Sequence, residues 1–338
     1  MLETINRTDW AVQSTTGWDI NRQPAAVIVV RASYQIDHSG ALTPRPAEIE
    51  PADRHYGATH ATSLAAATDG MAFKQGADCL VHGTVHPFEA GAPAREVRVT
   101  VTTAHERIDK RLRVAGRRYW QKTPVGLVPS NPEPLQATPL CYEYAFGGVD
   151  TRARELEPRN PVGMGFSARP GGAKGAELPR IEYPDDTLTH WSKRPRPAGL
   201  GPIAPGWEPR RALTDELDID ALNEGRCPYP QNVPRPIHNV APPDQRLDQP
   251  ITGGERIDIE GVGIADREAI TVELPMLAPV ACVVDRQSTK PLPMTCDTLI
   301  VDADAGTLDQ VWRGTVIDGP NDRKQRWAII AAPSEEAA

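Results

Sequence analysis

Apolar residues recur along this chain in unbroken runs and in strict alternation, and both patterns predict strands. Ala25-Ala26-Val27-Ile28-Val29-Val30-Arg31-Ala32-Ser33-Tyr34-Gln35-Ile36 is a β-branched run that stops at the turn sequence Asp37-His38-Ser39-Gly40. Cys79 to Val85 is a second, shorter run. Val97, Val99 and Val101 alternate with Arg98, Thr100 and Thr102, which gives one apolar and one polar face. Arg111, Arg113 and Arg117 interrupt Leu112 and Val114 in a similar way, so the two stretches are expected to pair. The C-terminal part repeats this grammar. Ile257 and Ile259 alternate with Asp258 and Glu260, and Ile270, Val272 and Leu274 with Thr271 and Glu273. Leu299-Ile300-Val301, the turn sequence Asp302 to Gly306, and Thr307-Leu308 through Val311-Trp312 predict a hairpin, with glycine supplying the positive φ of a tight turn. Short strands between turn signals predict a mainly β protein, an antiparallel sandwich or barrel.

Composition changes the picture in the middle of the chain. The 338 residues suit two domains or one large β-rich domain. There are 34 prolines, about twice ordinary usage, which argues against an all-α fold because proline removes an amide donor and clashes with the preceding turn. Residues 121–250 hold 22 of them, so the chain divides into an N-terminal β part (1–120), a Pro/Gly-rich middle (121–250) and a C-terminal β part (251–330). The middle is not low-complexity. Trp120, Tyr142, Tyr144, Phe146, Phe166, Trp191 and Trp207 run through it, and disordered tracts are poor in aromatics. It is expected to form ordered, irregular loops over the β core, with few short helices, one of them around Thr214 to Asn223.

Charge and cysteine content exclude several functional classes. A net charge of -8 disfavours nucleic-acid binding led by bulk electrostatics. No run of ~18 apolar residues is present to insert in a membrane, and Met1 to Arg7 lack the pattern of a secretory signal. Cys79, Cys141, Cys227, Cys282 and Cys296 are odd in number and widely spaced, which points to reduced thiols in a cytoplasmic protein.

Candidate chemistry is sparse. No G-x-S-x-G is present to support a serine nucleophile. His82 and His86 are four apart in a strand-like stretch, about 13 Å, too far to share a metal. Asp215, Glu216, Asp218 and Asp220 lack the glycine and glutamate positions of a calcium loop. Pro170 to Gly175 has the wrong spacing for a phosphate loop and suggests a flexible loop tip. Lys110, Arg111, Arg113, Arg117 and Arg118 form a basic stretch, expected on an exposed strand face, that suits an acidic partner. Asp150, Glu182 and Asp244 are the carboxylates from which a hydrolase site would be built, if a cleft paired two of them.

A series of short segments then carries a resemblance. Tyr142-Glu143-Tyr144-Ala145-Phe146-Gly147-Gly148-Val149-Asp150 is followed by Arg159-Asn160-Pro161-Val162-Gly163-Met164-Gly165-Phe166, Leu178-Pro179-Arg180-Ile181-Glu182, Pro195 to Ile203, Trp207-Glu208-Pro209-Arg210 and Asn239-Val240-Ala241-Pro242-Pro243-Asp244-Gln245. In this order and spacing they resemble the domain-of-unknown-function 2169 (DUF2169) family, as one integrated domain over about residues 10–330. One departure is Ala212 to Asp220, where such proteins often carry an Ala-Gly-Thr-Tyr-Asp type stretch and a nearby tryptophan. The resemblance implies a cytoplasmic adaptor or chaperone of bacterial type VI secretion. Such a protein holds a toxic effector and helps load it onto the VgrG spike or its PAAR tip, without enzymatic activity, cofactor or metal. A structural component of the secretion apparatus is the alternative within that setting. An adaptor needs a preformed surface, and its candidate contacts here are Phe146, Arg159, Asn160, Phe166, Trp191, Trp207, Asp244 and Gln245.

Overall fold

The β-branched run becomes the strand Pro24–Ile36, one strand in from the edge of a seven-stranded sheet. In the computed structural model, residues 2–19, 21, 23–124, 126–214, 234–263, 269–285, 288–317 and 326–332 are described. The sheet runs in the order Arg246–Leu247, Ala77–His82, Thr295–Asp302, Thr307–Ile317, Pro24–Ile36, Ala11–Trp18, with Leu42–Arg45 also paired to Pro24–Ile36. Ala77–His82 lies parallel to Thr295–Asp302, and the other pairs are antiparallel. The expected C-terminal hairpin forms, and Gly306 takes φ +63° at its turn. The run Ala25 to Val30 does not alternate because both of its faces are covered. Ile28 and Val30 enter the main core, while Val27 and Val29 pack against Ala72, Ile49 and Phe73 from the following loop.

A five-stranded sheet supplies the second layer, in the order Ile181–Glu182, Arg107–Ala115, Ala94–Thr102, Arg256–Glu260, Ala269–Glu273. Arg107–Ala115 pairs with Ala94–Thr102 as the alternation predicts. Both layers feed one core. Val97, Val99, Val101, Leu112, Val114, Ile257, Ile259, Ile270 and Val272 meet Val81, Leu299, Val301, Leu308 and Trp312. Burying each such side chain contributes about 1.5–3 kcal/mol. Neither sheet closes on itself among the described residues, so the architecture is a sandwich. Each layer mixes strands from both ends of the chain. A smaller four-stranded sheet pairs Glu3–Arg7 in parallel with Trp327–Ala331.

The described residues of the middle segment are ordered without long elements; residue 125 and residues 215–233 lie outside the described set. The predicted helix at Thr214 to Asn223 and the acidic cluster from Asp215 to Asp220 therefore lie outside the described residues, Thr214 excepted. The glycine-rich tip is not plain loop, since Pro170–Ala173 forms one α-helical turn. Two satellite clusters pin the segment. Trp120, Phe146, Ala173, Leu178 and Leu188 form one, and Leu64, Tyr142, Ala145, Ile203, Ala204 and Trp207 the other. Val240 and Ala241 cover Leu80 on the outer face of the seven-stranded sheet. Backbone geometry demands glycine at 147. Its φ is +156°, and a Cβ there would lie 2.1 Å from the Asn160 carbonyl oxygen. No helix among the described residues is long and apolar enough to cross a membrane.

Candidate functional site

Lys110 anchors the site, and its position follows from strand alternation. In Arg107–Ala115 the residues Ile108, Lys110, Leu112 and Val114 share the inward face, while Arg107, Asp109 and Arg111 are exposed. The expected exposed basic face is thus corrected for Lys110, which turns inward, and for Arg118, which is buried against Glu182. Lys110 Nζ uses all three donors. It donates to the Gly199 carbonyl at 2.7 Å, to Asp244 Oδ1 at 2.8 Å and to Gln245 Oε1 at 2.8 Å. Burial pushes the ammonium down to about 8, against the opposing pull of the Asp244 carboxylate. Gln245, fully buried, donates onward to the Cys79 and Leu200 carbonyls at 3.0 and 3.1 Å. The Tyr183 hydroxyl donates to Asp244 Oδ2 at 2.8 Å, and burial raises its pKa well above the phenol range.

A second buried centre fixes the same segment from the other layer. Asp78 is fully buried and accepts from Lys74 Nζ at 2.8 Å, Asn239 Nδ2 at 3.0 Å and the Val240 amide at 2.8 Å. Burial alone would raise this carboxyl. Lys74 and these hydrogen bonds outweigh it and hold the carboxyl below its ordinary value. The segment from Asn239 to Gln245 is therefore clamped at both ends by buried charge.

Beside the Lys110–Asp244 clamp opens a cavity of about 380 Å³. Five of the short segments singled out in the sequence contribute to its wall: Tyr142, Arg159, Arg196 with Pro197 and Ile203, Glu208 with Pro209, and Pro242 to Asp244. Tyr183 completes it. Tyr142 is held edge-on by Trp207, with ring centroids 5.6 Å apart. Gly199 abuts the same ring, and a Cβ there would lie 2.5 Å from Tyr142 Cε1 and Cζ. The wall is thus preformed, with four prolines and two tyrosines.

The eight candidate contact residues separate into distinct environments. Arg159 and Asp244 line the cavity, Trp207 backs its wall, and Gln245 supports its floor through Lys110. Phe146 is 1% exposed in a satellite core, and Asn160 is fully buried, donating to the Tyr142 and Phe146 carbonyls at 2.7 and 3.1 Å. Burial removes both, and the fully buried Gln245 with them, from any accessible surface, so as direct contacts these three are corrected to framework residues. Phe166 and Trp191 are half-buried against the Phe146 cluster, with the Arg194 guanidinium 4.7 Å above the Phe166 ring. Of the three carboxylates considered for a hydrolase, only Asp244 lines the cavity. Asp150 caps the amides of Arg152, Ala153 and Ala168, and Glu182 pairs with Arg118 and accepts from the Leu188 amide. Sequence reasoning missed Lys110, Tyr183, Arg196 and Glu208. The alternation around Leu112 and Val114 was the signal that would have found Lys110.

The family model described as "Uncharacterized protein conserved in bacteria (DUF2169)" matches residues 21–313. The chain belongs to the DUF2169 family. Nothing among curated proteins and nothing among solved structures matches it. The cavity of this DUF2169 protein lies wholly within the matched span, as do both buried clamps. The cysteines among the described residues of this DUF2169 protein are free thiols. Cys79 and Cys296 are buried, Cys141 and Cys282 half-buried, and Cys227 lies outside the described residues.

Proposed function

We propose that this DUF2169 protein is a non-enzymatic adaptor or chaperone of a bacterial type VI secretion system. It holds a toxic effector in the cytoplasm and helps load it onto the VgrG spike or its PAAR tip. One observation supports the reading above the others. Five of the six short segments that carry the family resemblance converge on one preformed cavity, whose wall is mainly proline, tyrosine and charged side chains. Such a wall loses little conformational entropy when a partner docks, because prolines and buried charge clamps have already ordered it. Of the carboxylates Asp150, Glu182 and Asp244, only Asp244 reaches this wall, where the other carboxylate is Glu208.

The test is an affinity pull-down of the tagged protein from its own cells with the secretion genes expressed, identified by mass spectrometry. Stoichiometric recovery of a toxin or a spike-tip protein is expected. Recovery of neither, from cells shown to contain both, sinks the proposal.

A further inference from the structure

The charges around the cavity do not balance, and the imbalance is specific. The Arg159 guanidinium is held in a two-pronged pair by Glu157, at 2.6 and 2.8 Å. Arg196 is matched by Asp185 at 3.1 Å and Asp186 at 3.5 Å. Asp244 is matched by Lys110. Glu208 lines the same wall, half-buried, and among the described residues it has no cation within ion-pair reach. Among the described residues its carboxylate accepts the Ala212 amide alone, at 3.2 Å. The two lining arginines are already ion-paired, so among the described residues the wall presents one negative charge without a cation beside it, next to apolar proline and tyrosine surface.

We infer that the cavity takes a basic side chain, arginine or lysine, carried on an extended segment of a partner protein. The long aliphatic stem of such a side chain suits a wall of Tyr142, Pro209, Pro242 and Pro243, while its head meets Glu208. The Tyr183 ring already carries the Arg196 guanidinium at 4.2 Å and the Lys110 ammonium at 5.3 Å, so selection for a cationic head rests on Glu208. The volume of about 380 Å³ lies at the small end of ligand cavities, which span roughly 300–1,000 Å³, and admits one or two side chains rather than a helix. An acidic side chain would face Glu208 directly and is selected against. This deepens the adaptor reading and rests on it for the partner's being a protein.

The test is titration of the full chain, followed by isothermal calorimetry and by fluorescence, with capped acetyl-Ala-Pro-Arg-Pro-Ala-amide. Analogues carry Glu or norleucine in place of Arg, and agmatine serves as a head group without a peptide. The Arg peptide is expected to bind at least fivefold tighter than either analogue and tighter than agmatine, and to weaken as salt rises. Glu208→Gln is expected to erase the preference over norleucine. Glu208→Lys is expected to turn it toward the Glu peptide, which a misfolded variant would not do. Equal binding of the three peptides, preference for Glu by the wild type, binding by none, or agmatine matching the Arg peptide each overturns the inference. None of these outcomes touches the pull-down, so the adaptor proposal stands or falls separately.

Discussion

Replacing Asp244 by Asn isolates the charge that holds the cavity floor. The amide keeps an acceptor for Lys110 and a polar group beside the Tyr183 hydroxyl, but it removes the one carboxylate in contact with the buried ammonium. Breaking a fully buried ion pair costs about 3–5 kcal/mol. Here the Lys110 side chain is 1% exposed but that of Asp244 is 39% exposed, so water screens one side of the pair. The expected loss is therefore about 2–3 kcal/mol at pH 7. With an unfolding entropy near ~2.1 cal/mol/K per residue, a chain of this length loses about 3–4 °C in Tm. Scanning calorimetry or near-ultraviolet circular dichroism reads this directly. The same comparison at pH 9.5 supplies the control. Native Lys110 titrates at about 8, against 10.5 for an ordinary lysine, so at pH 9.5 it is neutral and the substitution should shift Tm by less than about 1 °C. An unchanged Tm at pH 7, or an equal drop at both pH values, refutes the reasoning that a buried charge is held there.

Other perturbations test the frame around the cavity. Asn160→Ala strips hydrogen bonds from the buried Tyr142 and Phe146 carbonyls and should lower the unfolding free energy by about 2–4 kcal/mol in urea titrations. Phe146→Ala should cost about 3–5 kcal/mol by the same assay, as a core truncation does, and leave no partner-binding defect beyond that loss. Gly199→Ala places its Cβ against the Tyr142 ring, so it should change near-ultraviolet tyrosine signals and weaken the Arg peptide at least fivefold. Burial, with Arg210, Arg313 and Lys74 adding to it, pushes His238 down to about 4. Between pH 6.5 and 4 the unfolded chain binds a proton that the native state refuses, so stability should fall as pH drops through that window, and the urea midpoint at pH 5 should lie below that at pH 7.

The β framework was legible because strand signals are local. Alternation over Val97 to Val101 and the run from Ala25 to Ile36 report which faces are covered within a few residues of chain, and both became the strands expected. The ordering of the proline-rich middle was also legible, since its aromatics have to be buried somewhere, and Trp120, Phe146 and Trp207 are. The environment of each aromatic was not legible. Phe146 and Trp207 both fill satellite cores, yet only Trp207 packs against Tyr142 of the cavity wall.

Lys110 shows where local pattern stops. Strand alternation by itself pointed its side chain inward, and composition by itself grouped it with exposed arginines. What makes an inward ammonium tolerable comes from 89, 134 and 135 residues away, in the Gly199 carbonyl, Asp244 and Gln245. No short-range pattern encodes a partner at that distance, because such contacts exist only once both sheets and the overlying loops have packed. The sequence alone thus determined a mainly β protein, sandwich or barrel, with an ordered proline-rich cover, and the open sheets decided for the sandwich. Tertiary structure decided that the cover closes over a buried charge and leaves Glu208, among the described residues, without a cation in the cavity beside it, because compensation of charge is settled by proximity in space and not by order along the chain.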